Sequence, residues 1–196
     1  MPEASGGPAA SQAASASIRW DNLIWVATAI AIMIVAITME DLWLLNFVHV
    51  LSSVLWTGID LFMGFALGPI LRRLVLHVRH EVVSRLMPRT LFLMPTLALV
   101  STTSGWYVAR LQGFSDIDYP EAWWMVAALS LAAVLTIQGI AVLLPLNVRI
   151  TLEFQKLAPD TAKIARRMRL YVAVVASQGV LQVVMVLVMA RFATGL

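Results

Sequence analysis

His49 and Asp60 stand inside the apolar stretch NFVHVLSSVLWTGIDLFMGFALGPIL (46–71), where hydrocarbon would tolerate neither. The stretch is long enough to cross a bilayer, and an ionisable group within a spanning segment is costly and turns toward the bundle interior. At about 100° per residue, Ser53, Trp56 and Asp60 fall within about 40° of the His49 direction, so all four share one helix face. A neutral imidazole on that face can ligate a metal or a haem iron, or hydrogen-bond a hydroxyl on a neighbouring helix. The charged carboxyl costs ~3 kcal/mol on insertion scales, which favours neutralisation or pairing. Asp60 therefore reads as a proton or cation acceptor, with a carboxyl bonded to backbone or to an inward-reaching Arg as the alternative.

Ten methionines add soft thioethers, which suit Cu(I). Met39, Met125, Met185 and Met189 fall in the outer halves of expected helices, at depths similar to His49. With His49, the residues Met39, Met125 and Met189 form the candidate metal set; ordinary core packing is the competing reading, since Met fills irregular gaps. His49, Trp56 and Asp60 form the candidate cofactor-binding set. Gln138, Gln178 and Gln182 are midplane groups that can bond across the last two helices, and Gly64-x-x-x-Gly68 and Ser101-x-x-x-Gly105 permit close helix approach. His77 and His80 read as solvated.

The elements that position these groups follow from composition. The chain has 196 residues, 60% hydrophobic and 13% charged, about half the charge of a soluble domain. Several uncharged runs of membrane-spanning length make it a polytopic membrane protein whose first partner is the lipid bilayer. Zero cysteines exclude disulfides, thiolate metal sites and Cys nucleophiles. No nucleotide-binding loop, zinc-protease helix or serine-hydrolase elbow occurs, and nothing establishes turnover. The basic stretches lack the aromatic interleaving of a single-strand groove, so no nucleic-acid partner is expected.

Residues 1–17 are rich in Ala, Ser, Gly and Pro and read as a disordered tail, without the apolar region of a signal peptide. Residues 18–196 read as one all-α domain, an integral membrane bundle of five transmembrane helices at about 22–39, 42–71, 90–109, 122–146 and 170–190. Asp21 or Asn22 caps the first, Glu40–Asp41 make a short acidic turn, and Pro95 marks a kink near the start of the third. The stretches 72–89 and 149–169 read as basic connectors and hold 5 and 6 of the 14 Lys and Arg residues; the loops 40–41 and 110–121 hold one between them. Positive-inside bias then places the N-terminus in the cytoplasm and the C-terminus outside. Trp43, Trp106, Tyr107, Tyr119, Trp123 and Trp124 would line the outer interface, and Trp20, Trp25 and Tyr171 the inner one. Arg149, Arg166, Arg167 and Arg169 read as orientation charges and lipid-headgroup contacts.

His49, Trp56, Gly58, Phe62 and Pro69 form H-x6-W-x-G-x3-F-x6-P on a helix leading into an Arg-rich segment. This resembles the repeated opening helix of the copper-resistance protein D (CopD) family, whose wider relatives include a haem-binding membrane protoporphyrinogen oxidase and the membrane domain of some urate oxidases. The run from Leu99 to Tyr107, with Ser104–Gly105 followed by aromatics, resembles that family's small-residue helix end, so the likeness covers roughly 46–110. The resemblance implies a bacterial inner-membrane protein in which His49 meets copper or haem b. No histidine follows His80, so a second axial ligand to haem would be Met, water or a residue of a partner chain. Three expectations stand: copper binding or passage along a polar seam, a haem-binding redox protein or accessory subunit, and a structural subunit without ligand. A polar seam also leaves room for pairing with a second copy or a partner membrane subunit.

Overall fold

The computed structural model describes residues 22–118, 123–156 and 158–194. Five helices follow one another: α1 (Asn22–Thr38), α2 (Leu42–Arg73), α3 (Leu76–Leu111), α4 (Trp123–Phe154) and α5 (Thr161–Thr194). No strand occurs among the described residues. Helices α2 to α5 are each long and apolar enough to cross a membrane, while α1 is shorter at 17 residues. The chain is thus a multi-pass membrane protein. The N-terminal tail, Asp21, Trp20 and Tyr119 lie outside the described residues.

The helices are longer than their apolar runs. α3 begins at Leu76, not near 90, and its 36 residues reach about 54 Å, well past the ~30 Å hydrocarbon core. The stretch read as a connector is therefore the basic first half of a helix, and Pro95 sits mid-helix. Nothing from Leu76 onward stops the helix, and both Pro88 and Pro95 are carried inside it. The break from α2 is confined to Leu74 and Val75, whose backbones are extended (ψ 145° and 150°). α5 likewise starts at Thr161, nine residues before the expected 170, because Asp160 accepts the Lys163 N–H at 3.0 Å and caps it.

α2 and α4 are built alike. Each contains a six-residue π turn, Phe62–Leu67 and Gln138–Leu143, ending just ahead of Pro69 or Pro145. Proline lacks an N–H and its ring crowds the carbonyl one turn back, so the local ladder shifts from i−4 to i−5. Gly68 N–H bonds to Met63 O and Leu144 N–H to Gly139 O in that pattern.

Between α1 and α2, Glu40 adopts a left-handed backbone (φ 51°), and Asp41 caps α2 by accepting the Leu44 N–H at 2.7 Å. α1 packs on α2 and α3, where Met33, Ala36, Leu45, Val48, Val100 and Val108 form one apolar core. A second core joins α2, α3, α4 and α5 at the arginine-rich end, centred on Met87 and Ile150. At the opposite end Phe114, Trp124 and Phe192 meet edge to face, tying the α3–α4 loop to the end of α5. Trp25 and Trp43 are about three-quarters exposed, as lipid- or interface-facing aromatics should be. Tyr171 is not: it is buried inside the second core, because α5 begins earlier and carries it into the bundle.

Candidate functional site

The shared face of His49, Ser53, Trp56 and Asp60 turns toward protein, and the structure resolves it into two stations. At the first, His49 Nδ1 donates to the Ser101 carbonyl at 2.9 Å, and the hydroxyls of Ser53 and Ser101 lie 2.7 Å apart. The carbonyl can only accept, so the proton sits on Nδ1 and the lone pair on Nε2. Gly105 makes this approach feasible: a Cβ there would lie 2.5 Å from His49 Cε1.

The second station is Asp60. Its side chain has no exposure at all, and neither carboxyl oxygen has a hydrogen bond among the described residues. Trp56 and Gln182 turn their polar atoms toward the carboxyl without reaching hydrogen-bonding geometry. Gln182 is itself buried with both amide atoms unpartnered. Close packing of α2 on α5 forces this arrangement. A Cβ on Gly64 would meet Ala176 Cα at 2.7 Å, and Gly179 stands against Leu61.

Asp60 and Trp56 line a cavity of about 180 Å³ between α2, α3, α4 and α5. Its other polar walls are Thr90, Thr102, Thr136, Asn147, Tyr171 and Gln178, set among apolar side chains such as Leu91, Leu135 and Ile140. Asn147 Nδ2 donates to Thr90 Oγ1 at 2.9 Å, and Thr151 donates to Asn147 Oδ1 at 3.3 Å. The Tyr171 hydroxyl interacts with both Thr90 and Asn147. Gln178 Nε2 bonds across helices to Leu135 O at 3.0 Å, joining α5 to α4 as the sequence suggested. Further along α4, buried Glu153 holds Lys156 at 2.8 Å and Arg167 at 3.2 Å. The bonds among Thr90, Asn147 and Thr151 tie α3 to α4 beside the cavity, and Glu153 lies two residues beyond Thr151 on α4.

Sequence reasoning missed Thr90, Asn147, Tyr171 and Glu153. Asn147 had a usable signal, an amide two residues after Pro145 at the end of an apolar run. Met94 also lines the cavity, and it was not among the methionines singled out. Those lie elsewhere: Met39 is well exposed near the α1–α2 turn, and Met125 is buried at the start of α4. Met189 is half-buried near the end of α5. His49 meets α3, whereas α4, which carries Met125, packs on α5 and α3. No three described His, Asp or Glu side chains cluster as a metal site.

Neither described cavity is lined by His49, whose ring is pressed onto Gly105. The cavity at Asp60 is smaller than the ~300–1,000 Å³ of pockets that hold cofactor-sized ligands. Its lining is largely apolar, but its volume and the polar groups of Asp60, Thr90, Asn147 and Tyr171 suit a few water molecules or a small ion.

The chain matches no family model, no curated protein and no solved structure. These comparisons show no likeness to the CopD family.

Proposed function

We propose that this protein handles a small cation inside the membrane, with Asp60 as the group that takes up and releases it. The proton is the simplest such cation. The observation that carries the reading is a carboxyl with no exposure and no hydrogen bond among the described residues, at the wall of a largely apolar cavity that also holds Thr90, Asn147, Tyr171 and Gln178. An unsatisfied buried polar group costs ~1–3 kcal/mol, and intramembrane carboxyls are rare outside proton and ion pathways. A Leu here would carry no such cost, so the carboxyl points to chemistry rather than packing. Gln182 and Trp56 orient the carboxyl, while Thr90, Asn147 and Tyr171 supply hydroxyl and amide groups along which water can be held. Glu153, paired to Lys156 and Arg167, lies beyond Asn147 on α4.

In this reading α1 is a fifth crossing, the arginine-rich end is cytoplasmic, the N-terminus is inside and the C-terminus outside, in a bacterial inner membrane. A lipophilic carbodiimide tests it, because that reagent adds to a protonated carboxyl in an apolar setting. Peptide mass spectrometry should find Asp60 modified at low pH, with the rate falling as pH rises or as a bound cation protects the site. Failure to label Asp60 at any pH, or labelling indifferent to pH and cations alike, would remove the proposal.

One observation favours copper as a second cargo. With Nδ1 anchored on a carbonyl, His49 has the tautomer and ring support common to metal-ligating histidines. Copper bound at His49 would appear in elemental analysis of the purified protein and be lost in His49→Ala.

A further inference from the structure

A second cavity, about 360 Å³, opens between α2 and α5 at the arginine-rich end, with the start of α3 closing one side. Its character changes along its length. One part is apolar, lined by Phe65, Val172 and Ala173 above the α2–α5 contacts of Gly64 with Ala176 and Gly68 with Val172, while Arg72, Arg79 and Arg169 surround the other. Phe65 and Ala173 on its rim are exposed, so the apolar part opens outward, where an acyl chain could continue into the bilayer.

Among the described residues the three guanidiniums have no acidic partner. Every described carboxylate at this end is already engaged: Glu81 with Arg85, Glu153 with Lys156 and Arg167, and Asp160 with Lys163. His80 also lines the cavity, its ring edge-on to Phe154 and its Nε2 buried without a hydrogen-bond partner. Uncompensated arginines at the mouth of an apolar groove between helices match a molecule with an anionic head and a hydrocarbon tail. A free phosphate would use the head end and leave the apolar part empty.

We propose that the cavity bounded by Arg72, Arg79, Arg169 and Gly68 is a binding site for an anionic membrane phospholipid, its phosphate on the arginines and one acyl chain along α2 and α5. The arginines grip the phosphodiester, and the unpartnered His80 nitrogen faces the headgroup oxygens. The site is independent of the chemistry at Asp60.

Native mass spectrometry of the detergent-solubilised protein, titrated with phosphatidylglycerol or phosphatidylcholine, tests this. Phosphatidylglycerol should bind in preference, and Arg79→Gln/Arg169→Gln should weaken it about 25-fold, roughly fivefold per arginine. Ala173→Trp, an exposed substitution that fills the apolar part, should weaken it as well. Arg85→Gln/Arg89→Gln, which removes two arginines outside the cavity, should leave it unchanged. Equal binding of the two lipids overturns the proposal, as does equal loss from the control pair. Unaltered binding in Ala173→Trp would move the lipid to the general basic surface. Displacement of phosphatidylglycerol by millimolar inorganic phosphate would make this a phosphate site instead, and would equally overturn it.

Discussion

The imidazole Nδ1 of His49 lies 2.9 Å from the main-chain oxygen of Ser101, 52 residues away, with the ring seated on the bare Cα of Gly105. One contact therefore settles three things: the tautomer, the ring plane and the register of α2 on α3. It depends on Gly105, because any side chain there would occupy the ring's place.

Gly105→Ala should displace the imidazole, break its bond to Ser101 and cost ~1–3 kcal/mol, the usual penalty of overpacking. The same substitution made in a His49→Ala background should be nearly neutral. Unfolding of both variants in detergent measures the coupling; additive effects would mean that the ring and Gly105 do not meet.

Asp60→Leu should raise stability, by on the order of 1–3 kcal/mol, since it removes a buried group that has no hydrogen bond. Thermal unfolding of the purified protein reads this directly. A clear loss of stability would show that the carboxyl is bonded within the bundle.

Asn147→Ala breaks the bridge to Thr90 and orphans the Thr151 hydroxyl, so a loss of about 1–2 kcal/mol is expected. Thr90→Val should cost a similar amount, and the double variant less than the sum, because the two share one bond. Full additivity in that cycle would dissolve the link between α3 and α4.

The start of α5 should be sensitive to acid. The Lys163 N–H and then its ammonium hold the Asp160 carboxyl below the usual carboxylate range. A carboxyl lowered in the folded state contributes stability above its unfolded value, near pH 4, and loses it as pH falls through the folded one. Amide exchange at Lys163, corrected for intrinsic rate, should therefore accelerate below about pH 4 in the wild type. In Asp160→Asn, which keeps a capping oxygen without a charge, that dependence should vanish. Identical profiles for the two proteins would contradict the cap.

Much of this architecture is legible from residue type alone. His49, Trp56 and Asp60 lie on one face because helical period is strict, and that face turns inward because lipid excludes it. Small residues at Gly64, Gly68 and Gly105 mark close approach, and each is filled by a neighbour. Helix ends were less legible, since Arg-rich segments of α3 and α5 have good helix propensity yet fail an apolar-length criterion. The π turns escaped because no residue type marks a change of ladder register, and the helix absorbs Pro69 and Pro145 by shifting one residue. Tyr171 illustrates a third limit. An aromatic beside a basic segment resembles an interface anchor, and only tertiary packing, which seats it against Thr90 and Asn147, reveals a wall of the Asp60 cavity.

Proton movement across the membrane tests the central claim most directly. Purified protein in liposomes enclosing a pH-sensitive dye, driven by a potassium diffusion potential, should acidify or alkalise the lumen faster than empty liposomes. Asp60→Asn, of nearly the same shape, should reduce the rate to the empty-liposome level. Equal rates for wild type and Asp60→Asn would contradict the assignment of Asp60 as the cation-handling group.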